Sequence, residues 1–132
     1  MPVISKGVMV TYVEHLKNIL NHILDSYQIL DEIEDKPGDL SKIEKEMLKI
    51  NGFIRVVSNK IDVDKIPTSD FETLKIKFSQ YLENYSFEKE ITTMASLYSN
   101  DMSRVKNMRF KILEALTSKH MMDDARELIG NL

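Results

Sequence analysis

His15 and His22 stand seven residues apart, on one face of any helix that carries them, and Asp25 follows His22 by three. Two imidazoles and a carboxylate are the start of a metal site. Completing one needs further ligands nearby, and the chain holds no Glu-x-x-His or His-Glu-x-x-His. We read both histidines, and His120 beside Lys119, as solvated or half-buried side chains.

Carboxylates offer two more openings. Asp62-x-Asp64 matches the first ligands of a calcium loop. The pattern then fails, with Ile66 at the fifth position, Pro67 where glycine must turn the chain, and Thr73 in place of the bidentate glutamate. Glu32-x-x-Asp35 puts two acids one helical turn apart, a spacing suited to holding Mg²⁺ in helical nucleotide hydrolases. Such a site needs a second pair facing the first, and Asp124-x-x-Glu127 is the candidate. The glycines at 7, 38, 52 and 130 are too dispersed for a phosphate-binding or dinucleotide loop, and no Gly-x-Ser-x-Gly elbow occurs. With no cysteine, thiolate catalysis, disulfides and Cys-ligated zinc are excluded. The expectation is a non-enzyme without metal or cofactor.

Two other groups of residues suit binding. Arg104, Lys106, Arg109 and Lys111 make a basic helical segment that could contact phosphates, form a solvated face, or dock against the acidic stretch Asp31–Asp35. Five of the eight methionines fall between Met94 and Met122. Met94, Met102 and Met108 suit a core, whereas adjacent Met121 and Met122 point to different helix faces, so one of them is expected at the surface or under a partner.

The elements that must position these residues are helices. Met9, Val13, Leu16, Leu20, Ile23, Tyr27 and Leu30 recur in steps of four and three, as do Leu40, Ile43, Met47, Ile50, Ile54, Val57 and Ile61. Pro37-Gly38 separates the two series. Folded there, the chain pairs Leu30 with Met47, Tyr27 with Ile50, Ile23 with Ile54, Leu20 with Val57 and Leu16 with Ile61. One register satisfies five layers, which predicts an antiparallel hairpin with coiled-coil-like packing over about 8–34 and 39–61. The same register sets Asp31 against Lys45 and Glu34 against Lys42, offsetting charges that the helix dipoles disfavour. Gly52, inside the second helix, is expected to allow close helix contact, and Ser41-x-x-Glu44 to act as a capping box.

After a loop around Pro67, Ser69-x-x-Glu72 opens a third helix through Phe71, Leu74, Phe78, Tyr81 and Tyr85. Ser86 marks a bend, and Ser99-Asn100-Asp101 marks an N-cap before Met102, Val105, Met108, Ile112 and Leu116. A short last helix spans about Met121 to Ile129, with Gly130 as its stop. No segment alternates at period two, so no sheet is expected. The fold class is all-α: a hairpin packed with two to three further helices in one domain over 1–132.

Composition agrees with a globular chain, at 42% hydrophobic and 30% charged among 132 residues, with a net charge of −3. Basic and acidic residues are nearly balanced, so nothing global draws the chain to nucleic acid or an anionic membrane. Apolar runs stay short of the ~18 residues of a membrane span, and no secretory leader is evident, which predicts a cytoplasmic protein. Fourteen lysines against four arginines suit an AT-rich genome, bacterial or viral. Ile19, Leu24 and Ile29 widen the apolar face of the first helix beyond a two-helix seam, so Ile19, Leu24, Met121 and Met122 are the candidate protein contacts. The sequence reading is therefore an interaction protein that binds a protein partner or itself. A nucleic-acid accessory factor using residues 104–111 is the alternative.

Overall fold

The hairpin turn is built from backbone that only a few residue types tolerate. Asp35 and Gly38 both take positive φ, at 60° and 92°, and Pro37 stands between them. Asp39 closes the turn: its carboxylate accepts from the Lys36 backbone N–H at 2.8 Å, and its own N–H donates to the Lys36 carbonyl at 3.0 Å. Helix α2 therefore starts at Asp39, and the Ser41–Glu44 pattern lies inside it rather than capping it.

In the computed structural model, six α-helices stand among the described residues: α1 (Pro2–Glu32), α2 (Asp39–Lys60), α3 (Ser69–Asn84), α4 (Glu88–Leu97), α5 (Met102–Thr117) and α6 (Met121–Asn131). Short 3-10 turns at Val63–Lys65 and Ser118–His120 complete the fold, and no strand occurs among the described residues. The structure describes the backbone of 2–66, 69–85 and 87–132, and side chains from residue 11 onward within those ranges. The expected contribution of Met9 to the seam, the turn at Pro67 and the bend at Ser86 lie outside the described residues. Helix α1 also begins earlier than the expected Val8 and runs through Gly7.

The hairpin of α1 and α2 is the principal packing unit. Leu16, Leu20, Ile23 and Leu30 from α1 are buried, as are Met47, Ile50, Ile54 and Val57 from α2 and Ile61 just beyond it. Tyr27 is half-buried. His22 stacks on Phe53 across the same seam, with ring centroids 5.1 Å apart and planes within 9°. Helix α3 returns along α2, α6 packs against α1 and α3, α5 reaches α1, α2 and α6, and α4 lies on α2 and α5. Phe71, Leu74, Phe78 and Tyr81 carry α3 into the same core.

Four helices follow the hairpin where two to three were expected. Backbone geometry makes the breaks. Phe87 takes φ 63° before α4, while Lys119 and His120 take φ 55° and 61° before α6. Each residue is left-handed, a conformation that ends an α-helix after one residue. Asp101 starts α5 as expected, its carboxylate accepting from the Arg104 N–H at 3.2 Å. Gly130, expected as a stop, lies inside α6, which continues to Asn131.

Gly52 overturns a second local expectation. A Cβ added there meets nothing within 4 Å, so no close helix contact demands glycine at this site. Gly52→Ala is accordingly expected to raise stability by about 1 kcal/mol, the difference in helix propensity, as a higher urea midpoint at unchanged slope. A fall in the midpoint would show that α2 uses the missing Cβ after all.

Candidate interaction site

Of the four basic residues proposed to contact phosphate, Arg109 is not on the surface. Its guanidinium lies between α5 and the end of α1, donating from Nε and Nη2 to the two oxygens of Asp35 at 2.9 and 2.8 Å. Nη1 donates to the Leu30 carbonyl at 3.1 Å and the Asp31 carbonyl at 3.4 Å. The side chains are 8% and 11% exposed. Arg109 thereby satisfies carbonyls that end α1 without intrahelical partners, and binds the carboxylate beyond them with a planar fork. Its hydrogen bond to Asp35 raises an already high pKa, and desolvation only partly opposes this, so the group stays cationic. This is the docking of the basic helix on the acidic stretch.

That arrangement also replaces the expected ion pairs across the hairpin. Because α1 ends at Glu32, residues 33–36 leave the helical path and take Glu34 and Asp35 out of register. Glu34 meets Lys36 at 2.6 Å, and Lys42 meets Asp39 at 3.7 Å. The Glu32–Asp35 pair is divided in the same way, since Glu32 accepts from Gln28 at 2.7 Å while Asp35 holds Arg109. Asp124 is engaged by Lys77. Among the described residues, no group of three or more His, Asp or Glu side chains is placed to hold a metal ion.

The other three basic residues are exposed but not equivalent. Arg104 lies 4.0 Å over the Tyr98 ring and pairs with Asp101 at 3.2 Å. Lys106 lies 5.6 Å over the Phe110 ring, which is itself half in solvent, and Lys111 is exposed. The nucleic-acid alternative thus loses one of its four cations to the core and shares another with a carboxylate.

Three of the four candidate protein contacts, Ile19, Met121 and Met122, lie inside the fold. Met121 and Met122 are both buried, at 2% exposure. The left-handed pair Lys119–His120 turns the chain so that the first turn of α6 enters among α1, α3 and α5, where two adjacent faces are covered at once. Ile19 is buried and Leu24 half-buried, because α1 packs against α5 and α6 as well as α2. The large apolar side chains that do reach solvent include Ile29, Leu48, Ile76, Leu97 and Phe110.

One polar constellation escaped the sequence reading. Asn51, wholly buried on α2, accepts from the Tyr81 hydroxyl at 2.8 Å and donates to Glu88 Oε1 at 3.3 Å. Arg55 donates to the same oxygen at 2.6 Å. The network ties α2, α3 and α4 together. A signal for it exists: Met47, Asn51, Ile54 and Ser58 follow a four-three-four spacing, so polar residues interrupt a second buried stripe. Burial, and to a lesser degree the Glu88 carboxylate, push the Tyr81 phenol well above its ordinary pKa of 10.0, with Arg55 acting in the opposite sense.

This shift has a definite sign for stability. An unfolded tyrosine ionises near pH 10, whereas the folded one keeps its proton, so the contribution is complete below about pH 10 and declines as pH rises further. Urea midpoints measured from about pH 9 to pH 11 are expected to fall more steeply for the natural chain than for Tyr81→Phe. Equal slopes would mean that Tyr81 titrates as if exposed.

Among the described residues no helix is long and apolar enough to cross a membrane. No protein-family model matches this chain, and no curated protein or solved structure matches it either.

Proposed function

We propose that this is a non-enzymatic interaction protein, an adaptor, assembly factor or regulator that packs helices against a protein partner or a second copy. One observation carries the reading: α1 outruns its hairpin mate. It spans 31 residues against 22 for α2. In the hairpin register Lys60, the last residue of α2, comes opposite Lys17, so the first turns of α1 extend past the end of α2. Their sequence is apolar by type, with Val3, Ile4, Val8, Met9 and Val10 and the single charge of Lys6 before Thr11. A helix of that composition gains by burial against another protein surface.

The test compares the full chain with Ile4→Lys/Val8→Lys. Sedimentation equilibrium over a wide concentration range and affinity capture should reveal self-association or a bound protein for the natural chain. The substituted chain should lose it by at least about tenfold, which is about 1.4 kcal/mol, while keeping its helical circular dichroism. A natural chain that stays monomeric and captures nothing, or capture indifferent to the two lysines, would remove the proposal.

A further inference from the structure

Helix α4 is held unlike its neighbours. It has ten residues, of which only Ile91 is fully buried, and Leu97 is 68% exposed. Thr92 and Thr93 place two β-branched residues side by side in a helix already too short to persist alone. It is entered through Phe87 at φ 63°, a strained geometry for an aromatic residue. Four attachments keep it in place, and Phe87 at its entry also packs against the core. Glu88 binds Arg55 and Asn51 of α2, Ile91 enters the core, and Tyr98 just past its end stacks on Arg104 of α5. Met94, between the last two, packs against the same core. Positions 88, 91 and 94 share one helical face, and Tyr98 follows one turn beyond Met94.

We infer that the α2–α5 surface beneath α4 is a helix-binding groove whose resident ligand is α4, and that it takes an amphipathic helix from a partner protein in its place. The chemistry of that helix is legible in α4 itself. It needs a carboxylate for Arg55 and Asn51, an aliphatic side chain three residues on for the site of Ile91, and an aromatic ring ten residues on for Arg104. The two arginines sit at opposite ends of the groove, so they fix the direction in which the helix lies. An open cleft between Leu40, Ser41 and Glu44 of α2 and Ala95 and Ser99 runs beside the C-terminal end of α4. This surface uses none of the residues of the α1 extension, so either proposal can fail alone.

The probe is a fluorescent peptide of residues 87–101, titrated by anisotropy into the full chain. The natural protein should bind it weakly, because its own α4 competes. Ile91→Ala in the protein, which removes the buried anchor of the resident helix, should tighten binding at least tenfold. Glu88→Lys in the peptide should abolish binding, and Arg55→Glu in the protein should restore affinity for that reversed peptide. Should Ile91→Ala fail to fold, hydrogen exchange on the natural chain serves instead, with the amides of 90–97 expected to exchange at least a hundredfold faster than those in the middle of α2. Absence of peptide binding to a folded Ile91→Ala chain, no recovery on charge reversal, or α4 amides protected as well as those of α2 would each overturn the proposal.

Discussion

Replacing Arg109 by alanine is expected to destabilise the protein by about 3–5 kcal/mol, because it strands Asp35 in a buried position without its counter-charge. The same change also uncaps the Leu30 and Asp31 carbonyls, which receive the third arm of the guanidinium. Arg109→Lys should recover little of the loss, since an ammonium cannot reproduce a two-pronged bond to Asp35 while also reaching α1. An effect this large is a sizeable share of the ~5–15 kcal/mol that holds a typical domain together. Urea denaturation decides the matter, and the paired replacement Arg109→Met/Asp35→Leu provides the control. If the interaction is a specificity device, the apolar pair should come close to the natural stability. A loss below about 1 kcal/mol for Arg109→Ala would place the residue among exposed ion pairs and return it to the surface.

Met122 should give the next largest effect. Truncation to alanine is expected to remove about 2–5 kcal/mol, as for other buried long apolar side chains, and Met121→Ala should behave alike. Ile76→Ala, on the exposed side of α3, should stay within about 0.5 kcal/mol. This contrast separates a core role from a contact role. If Met122 instead met a partner, its truncation would weaken association and leave the thermal midpoint of the isolated chain unmoved. The position at the start of α6, entered among three helices, argues for the core.

The sequence leaves Arg109 open between a phosphate contact, a solvated face and docking on Asp31–Asp35, and places one of Met121 and Met122 at the surface or under a partner; the reason is the same for both. An amphipathic stripe shows which side of a helix is apolar, but not how many neighbours will surround it. Arg109 sits at a flank of its stripe, and only the approach of Asp35, just past α1 and 74 positions away in the chain, converts that flank into an interior. Met121 and Met122 violate helical spacing only if the helix is covered on one side, and α6 is covered on several. Gly52 erred in the other direction, because a glycine in a helix suggests crowding that no neighbour supplies.

What the sequence determined by itself was the hairpin: where it turns, which residues line its seam, and that everything else is helical. Those features are local, written in steps of three and four residues and in a Pro-Gly turn that Asp39 closes on Lys36. The tertiary structure decided the rest: Arg109 on Asp35, Tyr81 on Asn51, both methionines inside, and α4 left with a single buried anchor. Each of these joins residues tens of positions apart, and their partners are chosen by which surfaces remain after the hairpin has closed, a matter of volume and burial that no short-range periodicity records.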